Sequence, residues 1–130
     1  MSSDASWVRE INAVTLVTAD MARSCRFYDD LGFALERGGP NEAFTTLRAG
    51  TGYLNLQLVA GWRPPAEVWG RVILWVDDVD AVHARACAAG HQASTEPADA
   101  PWGERYFHIS DPDGHELSFA RPLTNRTGDG

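Results

Sequence analysis

The sequence predicts an α+β fold made of two βαβββ modules in tandem. Three observations carry this. Segments rich in β-branched residues alternate with segments whose apolar residues recur at helical spacing. A stretch containing Gly61, Pro64 and Pro65 divides the chain near its middle. The order of elements before that stretch repeats after it, at an interval of about 58 to 62 residues.

The elements follow in order. Residues 11–18 (INAVTLVT) read as a buried strand. Asp20 comes next, where a side-chain oxygen can accept from the first free N–H groups of a helix. Met21, Cys25, Tyr28 and Leu31 then recur at helical spacing, and Gly32 ends the helix because glycine tolerates the left-handed cap. Residues 33–37 are a short strand, Gly38-Gly39-Pro40 a turn, and residues 42–48 a strand; residues 49–52 (AGTG) turn the chain into a strand over 53–60. In the second half, residues 70–76 (GRVILWV) are a strand. Asp77 or Asp78 caps a helix carrying Val79, Val82, Ala86 and Ala89 on one face, and Gly90 stops it. Residues 92–95 are a short strand and 97–101 a loop. Residues 103–109 and 115–120 form a hairpin around Asp111-Pro112-Asp113-Gly114. The expected organisation is an extension over 1–10, a first module over 11–60, a linker over 61–69, a second module over 70–122 and a flexible tail over 123–130.

Composition narrows the function. The 130 residues are 44% hydrophobic and 22% charged, as in an ordinary globular chain able to bury a core without staples. Eighteen acidic residues against 11 basic ones leave a net charge of −7, which argues against a nucleic-acid partner, since that needs a basic stripe. No apolar run reaches membrane-spanning length, and residues 1–6 lack an apolar signal core. The expectation is a cytoplasmic protein with no membrane partner. Cys25 and Cys87 form neither a zinc motif nor a disulfide framework and read as free thiols. No Ser-His-Asp order, phosphate-binding loop, CxxC or dinucleotide fingerprint is present.

Three segments are more specific: FYDDLGF (27–33), VDDVDAV (76–82) and WGERYFHISDPDGHELSF (102–119). In them the chain resembles the vicinal oxygen chelate superfamily. That family includes glyoxalase I, extradiol dioxygenases, fosfomycin-resistance proteins and bleomycin-binding proteins. The resemblance covers about residues 11–122 and is specific for the fold, not the reaction, because the fold hosts unrelated activities. It implies that the two modules form a curved, partly open cup of mixed sheet, with helices outside and a ligand cavity inside. Strand alternation then assigns faces. Leu54, Leu56 and Leu58, Phe107 and Ile109, and Leu117 and Phe119 go to the helices. Tyr53, Asn55 and Gln57, Tyr106 and His108, and Glu116 and Ser118 go to the cavity.

Metal-dependent members hold one divalent ion with His, Glu or Gln side chains from four cavity strands. The resemblance puts those positions at Ala13 (INAVTL), Gln57 (LQL), Arg71 (GRVILWV) and Ser118 (HELSF). Alanine has no donor, a guanidinium repels a cation, and a neutral hydroxyl is a poor substitute. One usable ligand of four implies no metal and no cofactor. His115 follows the turn and suits a solvated or turn-bonding role. His108 suits a cavity-lining role; His108, Glu116 and Gln57 are the other arrangement available for an ion.

The expected lining is Phe44, Thr46, Asn55 and Gln57 from the first module and Arg71, Trp75, Tyr106, His108 and Ser118 from the second. Trp62, Trp69 and Trp102 lie in loops able to rim it. Arg71 either clasps an acidic ligand or pairs with Glu116. The first reading is a metal-free binding protein for an aromatic small molecule, similar to the bleomycin-binding branch, which sequesters a drug and confers resistance. Members of that branch are dimers with grooves between subunits, so the resemblance implies a homodimer. The second is an enzyme (lyase, isomerase or dioxygenase) with a non-standard or absent metal site, using His108 or Glu116 as general base beside Arg71. The third is an interaction subunit whose cup is filled by Phe44, Trp75 and Tyr106.

Overall fold

The structure, a computed structural model, describes residues 7–123. The expectations of a polar start over 1–6 and of a flexible tail over 124–130 fall outside the described residues.

The first half comprises β1 (Ala13–Thr18), α1 (Met21–Asp30), β2 (Ala34–Arg37), β3 (Phe44–Ala49) and β4 (Gly52–Leu58). The second comprises β5 (Arg71–Trp75), α2 (Val79–Ala88), β6 (Ala98–Ala100), β7 (Glu104–Ser110) and β8 (Glu116–Pro122). They make two four-stranded sheets, ordered β1-β4-β3-β2 and β5-β8-β7-β6. In each, the first and last strands of the module pair in parallel and the remaining pairs are antiparallel. The βαβββ order thus occurs twice, with matching topology.

Local chemistry sets the helix ends. Asp20 accepts from the Arg23 N–H at 3.0 Å, and Asp78, of the two candidates, accepts from the Ala81 N–H at 3.0 Å. Gly32 and Gly90 close the helices at φ of 99° and 90°. Alternation sets the faces. Leu16, Leu54 and Leu56 of the first sheet and Phe107, Ile109, Leu117 and Phe119 of the second join Met21, Phe27, Tyr28 and Val79 in one continuous core.

Two expectations are corrected. Leu58 shares the face of Leu54 and Leu56 but ends its strand beyond the core and is exposed. The short strand of the second module is Ala98–Ala100, not residues 92–95. Ser94 and Thr95 both aim their N–H groups at the His108 carbonyl (2.8 and 3.4 Å), and the Thr95 hydroxyl accepts the His108 N–H at 3.0 Å. A side chain therefore replaces the ladder there. Regular pairing begins only after Pro97, with Ala98 opposite Tyr106.

The turn at Asp111-Pro112-Asp113-Gly114 joins the modules. One Asp111 carboxylate oxygen accepts from the N–H groups of Asp113 and His115, both at 2.9 Å; the other accepts from the Tyr28 hydroxyl at 2.7 Å. Asp113 accepts from the Ala19 N–H (3.0 Å), the Ser24 hydroxyl (3.0 Å) and the Arg23 guanidinium (2.8 Å). Burial pushes the Asp111 carboxyl above its ordinary range, and burial with the facing Asp111 charge pushes the Tyr28 phenol well up. His91 meets Asp30 at 2.9 Å, and Arg85 donates to the Asp30 carbonyl at 3.0 Å.

His115 does more than bond the turn. Its side chain is buried, not solvated. Its Nδ1 accepts from the Trp69 indole N–H at 3.0 Å, so its proton sits on Nε2 and is donated to the Val17 carbonyl at 2.8 Å. Trp62 stacks on it at 5.1 Å between centroids. The imidazole thus holds the inter-module linker against β1.

Removing the Asp113 carboxylate takes the acceptor from the Ala19 N–H, the Arg23 guanidinium and the Ser24 hydroxyl, of which Ser24 keeps the Thr18 hydroxyl at 2.6 Å. Asp113→Ala is expected to lower unfolding stability by about 2 to 4 kcal/mol. Ser24→Ala, which removes one neutral donor, should cost about 1 kcal/mol. Urea denaturation of both variants checks the ratio.

Candidate functional site

The helices cover one face of each sheet and leave the other open. On the second sheet, register builds three rows across β5, β8 and β7: Arg71–Glu116–Ser110, Ile73–Ser118–His108 and Trp75–Ala120–Tyr106. The middle strand contributes its smallest residues at Ser118 and Ala120. Both are buried even on this open face, because larger side chains flank them on either side. Trp75 and Trp102 stand 60% and 69% exposed above that floor.

The aromatic side chains form a continuous run. Trp102 stacks on Tyr106 with centroids 6.0 Å apart and planes 26° apart, and Tyr106 lies 5.0 Å from the His108 ring. Arg71 meets Glu116 through two nitrogens, Nε at 3.1 Å and Nη2 at 2.9 Å from one carboxylate oxygen. Of the two roles open to Arg71, the structure has the ion pair. The His108 backbone N–H is taken by Thr95, and its buried Nδ1 has no hydrogen-bond partner. Burial and, next, the Arg71 guanidinium hold this imidazole below its ordinary value of 6.5, with Glu116 opposing them. Both effects favour the neutral imidazole.

The first sheet presents a separate open face. Phe44 lies opposite Gln57, and Thr46 opposite Asn55. The Asn55 amide donates to the Thr15 hydroxyl at 3.2 Å. Nine residues were expected to line one cavity. The fold gathers Arg71, Trp75, Tyr106, His108 and Ser118 on the second sheet, with Trp102 beside them, and Phe44, Thr46, Asn55 and Gln57 on the first. A cavity of about 440 Å³ is lined by Ala13 and Tyr53 of the first module, Trp69 of the linker, and Arg71 and Ile73 of the second module. Arg71 is its one member from the expected nine. Ile73 was missed, although it shares the strand parity of Arg71 and Trp75.

The positions at which related proteins would place metal ligands do not fit an ion here. Ala13 lies opposite Tyr53, and Gln57 opposite Val17, four residues further along the same strand pair. That separates their rows by about 13 Å. Arg71 is committed to Glu116, while Ser118 faces Ile73 and His108 in the next row. The alternative trio of His108, Glu116 and Gln57 is split between the two sheets. Among the described residues, no group of three or more His, Cys, Asp or Glu side chains is placed to hold a metal ion.

Residues 10–119 match the model of the Glyoxalase/Bleomycin resistance protein/Dioxygenase superfamily. The chain belongs to this superfamily. Among curated proteins it is similar to the putative glyoxylase CFP32 of Mycobacterium bovis, with 49% identity over 47 residues, 36% of this chain and 18% of that protein. It is also similar to the uncharacterized protein Mb0911c of the same organism, with 44% identity over 50 residues, 38% of this chain and 33% of that one. The matches thus span a third or less of these relatives' lengths. Among solved structures, TioX from Micromonospora sp. ML1 superposes with a TM-score of 0.71 at 28% identity, covering 88% of this chain and all of that one. A bleomycin resistance determinant encoded on transposon Tn5 gives 0.72 at 22%, covering 89% and 100%. A bleomycin-binding protein complexed with bleomycin gives 0.67 at 21%, covering 88% and 98%. These last two establish the fold.

The electrostatics of His108 can be read directly. Its ring signals in proton–nitrogen spectra should titrate below 6.5. Arg71→Ala removes a charge that opposes protonation and should move the midpoint up; Glu116→Gln removes one that favours it and should move the midpoint down.

Proposed function

We propose that this chain binds a small, flat aromatic or heteroaromatic molecule on the open face of its second sheet, without a metal, and holds it unchanged. The supporting observation is the aromatic run Trp102–Tyr106 with Trp75 across the sheet, left facing solvent. Large flat side chains bind planar ligands at little entropic cost. The Arg71–Glu116 pair cancels the charge at one end of the floor, which suits a neutral or cationic ligand better than an acid. The structural likeness to a bleomycin-binding protein points the same way.

The same reading includes a homodimer. Phe44 and Ile73, on the open faces of different sheets, are 46% and 63% exposed. An apolar surface of this kind is normally covered. A second copy laying its first sheet over the second sheet would bring Phe44, Asn55 and Gln57 to the aromatic run and complete a groove. The role is sequestration of the resistance type, in the cytoplasm. No helix among the described residues is long and apolar enough to cross a membrane.

A second reading has one observation in its favour. His108 is shifted toward its neutral form, its Nδ1 is unpartnered, and Arg71 and Glu116 lie one row away. A neutral imidazole beside a guanidinium can act as general base in a lyase, isomerase or dioxygenase of this fold.

Tryptophan fluorescence with bleomycin as probe, in the presence of a chelator, tests the binding reading. A saturable change is expected, with Trp75→Ala and Trp102→Ala each weakening it about tenfold. No change with the parent protein, or equal affinity in both variants, would sink the proposal. Recovery of chemically altered probe would favour the enzyme. A monomer mass by sedimentation at concentrations that bind probe would remove the dimer.

A further inference from the structure

The first module holds another cavity, of about 330 Å³, between α1 and the β2–β3 end of its sheet. It lies apart from both open faces and shares no lining residue with the aromatic run. Phe33, Leu35 and Leu47 supply an apolar floor, and Leu35 is left 57% exposed. Arg26 and Asp29 line it from α1. They are three residues apart and so share one helix face. Neither side chain has a hydrogen-bond or ion-pair partner among the described residues, although the Asp29 backbone carbonyl takes part in the helix end.

The opposite wall is built in advance. The Thr45 hydroxyl accepts the Gly39 N–H at 3.0 Å and donates to the Gly39 carbonyl at 3.2 Å. Gly38, at φ 91°, has no room for a Cβ against the Phe44 carbonyl. The second module treats the equivalent place differently. Counting from the caps Asp20 and Asp78, Cys25 corresponds to His83. There the His83 ring packs edge-on to Phe107, 5.1 Å between centroids, and fills the space between helix and sheet. Cys25 is too small to do so.

We infer that this cavity is a separate binding site for a small α-amino acid with an apolar side chain. The carboxylate pairs with Arg26, the ammonium with Asp29, and the side chain covers Leu35, Phe33 and Leu47. The volume sits at the lower end of small-molecule pockets, which fits a ligand of this size. A simple carboxylic acid would leave its charge facing Asp29, and a simple amine would leave its charge facing Arg26. The zwitterion satisfies both. This site and the groove are independent: either can fail without the other.

Cys25 lines the cavity and reports on it. Burial pushes its thiol up, so its alkylation is slow at baseline and readily timed. Cys87 is exposed on α2, so the chain is used as Cys87→Ser. L-phenylalanine at ten times its Kd should slow alkylation of Cys25 by N-ethylmaleimide about tenfold, by simple occupancy. Phenethylamine and 3-phenylpropionate should protect far less. Arg26→Ala and Asp29→Ala, both at exposed helix positions, should abolish protection. Tryptophan emission should not change, since no tryptophan lines the cavity. Calorimetric titration of L-phenylalanine against the parent and Arg26→Ala reads the same site without the thiol. No heat and no protection with the parent overturns the site. Equal protection by 3-phenylpropionate, or protection that survives Arg26→Ala, overturns the amino-acid class. A fluorescence change lost in Trp75→Ala moves the ligand to the groove and overturns the site as well.

Discussion

Burying a carboxylate is costly unless its lone pairs are filled, and the Asp111–Asp113 turn buries two. Asp113 is filled wholly by donors of the first module: the Ala19 N–H, the Arg23 guanidinium and the Ser24 hydroxyl. Asp111 is filled partly by Tyr28 and partly by its own turn. The turn therefore has one place to sit, on the N-terminal half of α1. Once it is seated, His115 meets the Val17 carbonyl and Trp69, and the linker is drawn in behind it. The two sheets share no strand pair among the described residues, so the modules are held by these contacts together with His91–Asp30, Arg85–Asp30 and the common core.

This seating also shapes the open faces. With α1 and α2 committed to the shared core, the opposite side of each sheet is left for a ligand or a partner. β8 runs through the middle of the second sheet, anchored at its start by the turn. Its small residues, Ser118 and Ala120, make a low floor between Ile73 and Trp75 on one side and His108 and Tyr106 on the other. A larger residue at either position would raise that floor into the space left between the flanking side chains.

The parts of the fold legible in the sequence are those set by local chemistry. Asp20, Gly32, Asp78 and Gly90 bound the helices because capping needs only near neighbours. Alternation placed Leu54, Leu56, Phe107 and Leu117 correctly because one buried face dictates register. The failures depend on distant partners. Residues 92–95 hold the place of a strand in the repeat, but the Thr95 hydroxyl substitutes for the ladder on the edge of β7. His115 is pinned by groups 98 and 46 positions away, Val17 and Trp69, which no local pattern indicates. For the candidate site, strand parity separated the residues packed on the helices, such as Leu54, Leu56, Phe107 and Leu117, from those on the open faces. What single-strand parity does not contain is which rows adjoin. Parallel pairing in β5–β8 sets Arg71 opposite Glu116, and the open faces of the two sheets lie on different modules.

The seating of the turn runs in one direction only. The topological counterpart in the first module, the β3–β4 turn, reads Ala49-Gly50-Thr51-Gly52 and has no carboxylate to offer α2. The tandem halves have therefore stopped being interchangeable copies: one grips and the other is gripped. A chain made of two first halves would have nothing to grip with. A chain made of two second halves would have two gripping turns and no hydroxyl or guanidinium to receive them, since Val82 and Ala81 stand where Ser24 and Arg23 do. Reordering the halves by circular permutation keeps the pair intact. Duplicating either half does not, so the architecture carries its repeat as history and not as a usable symmetry.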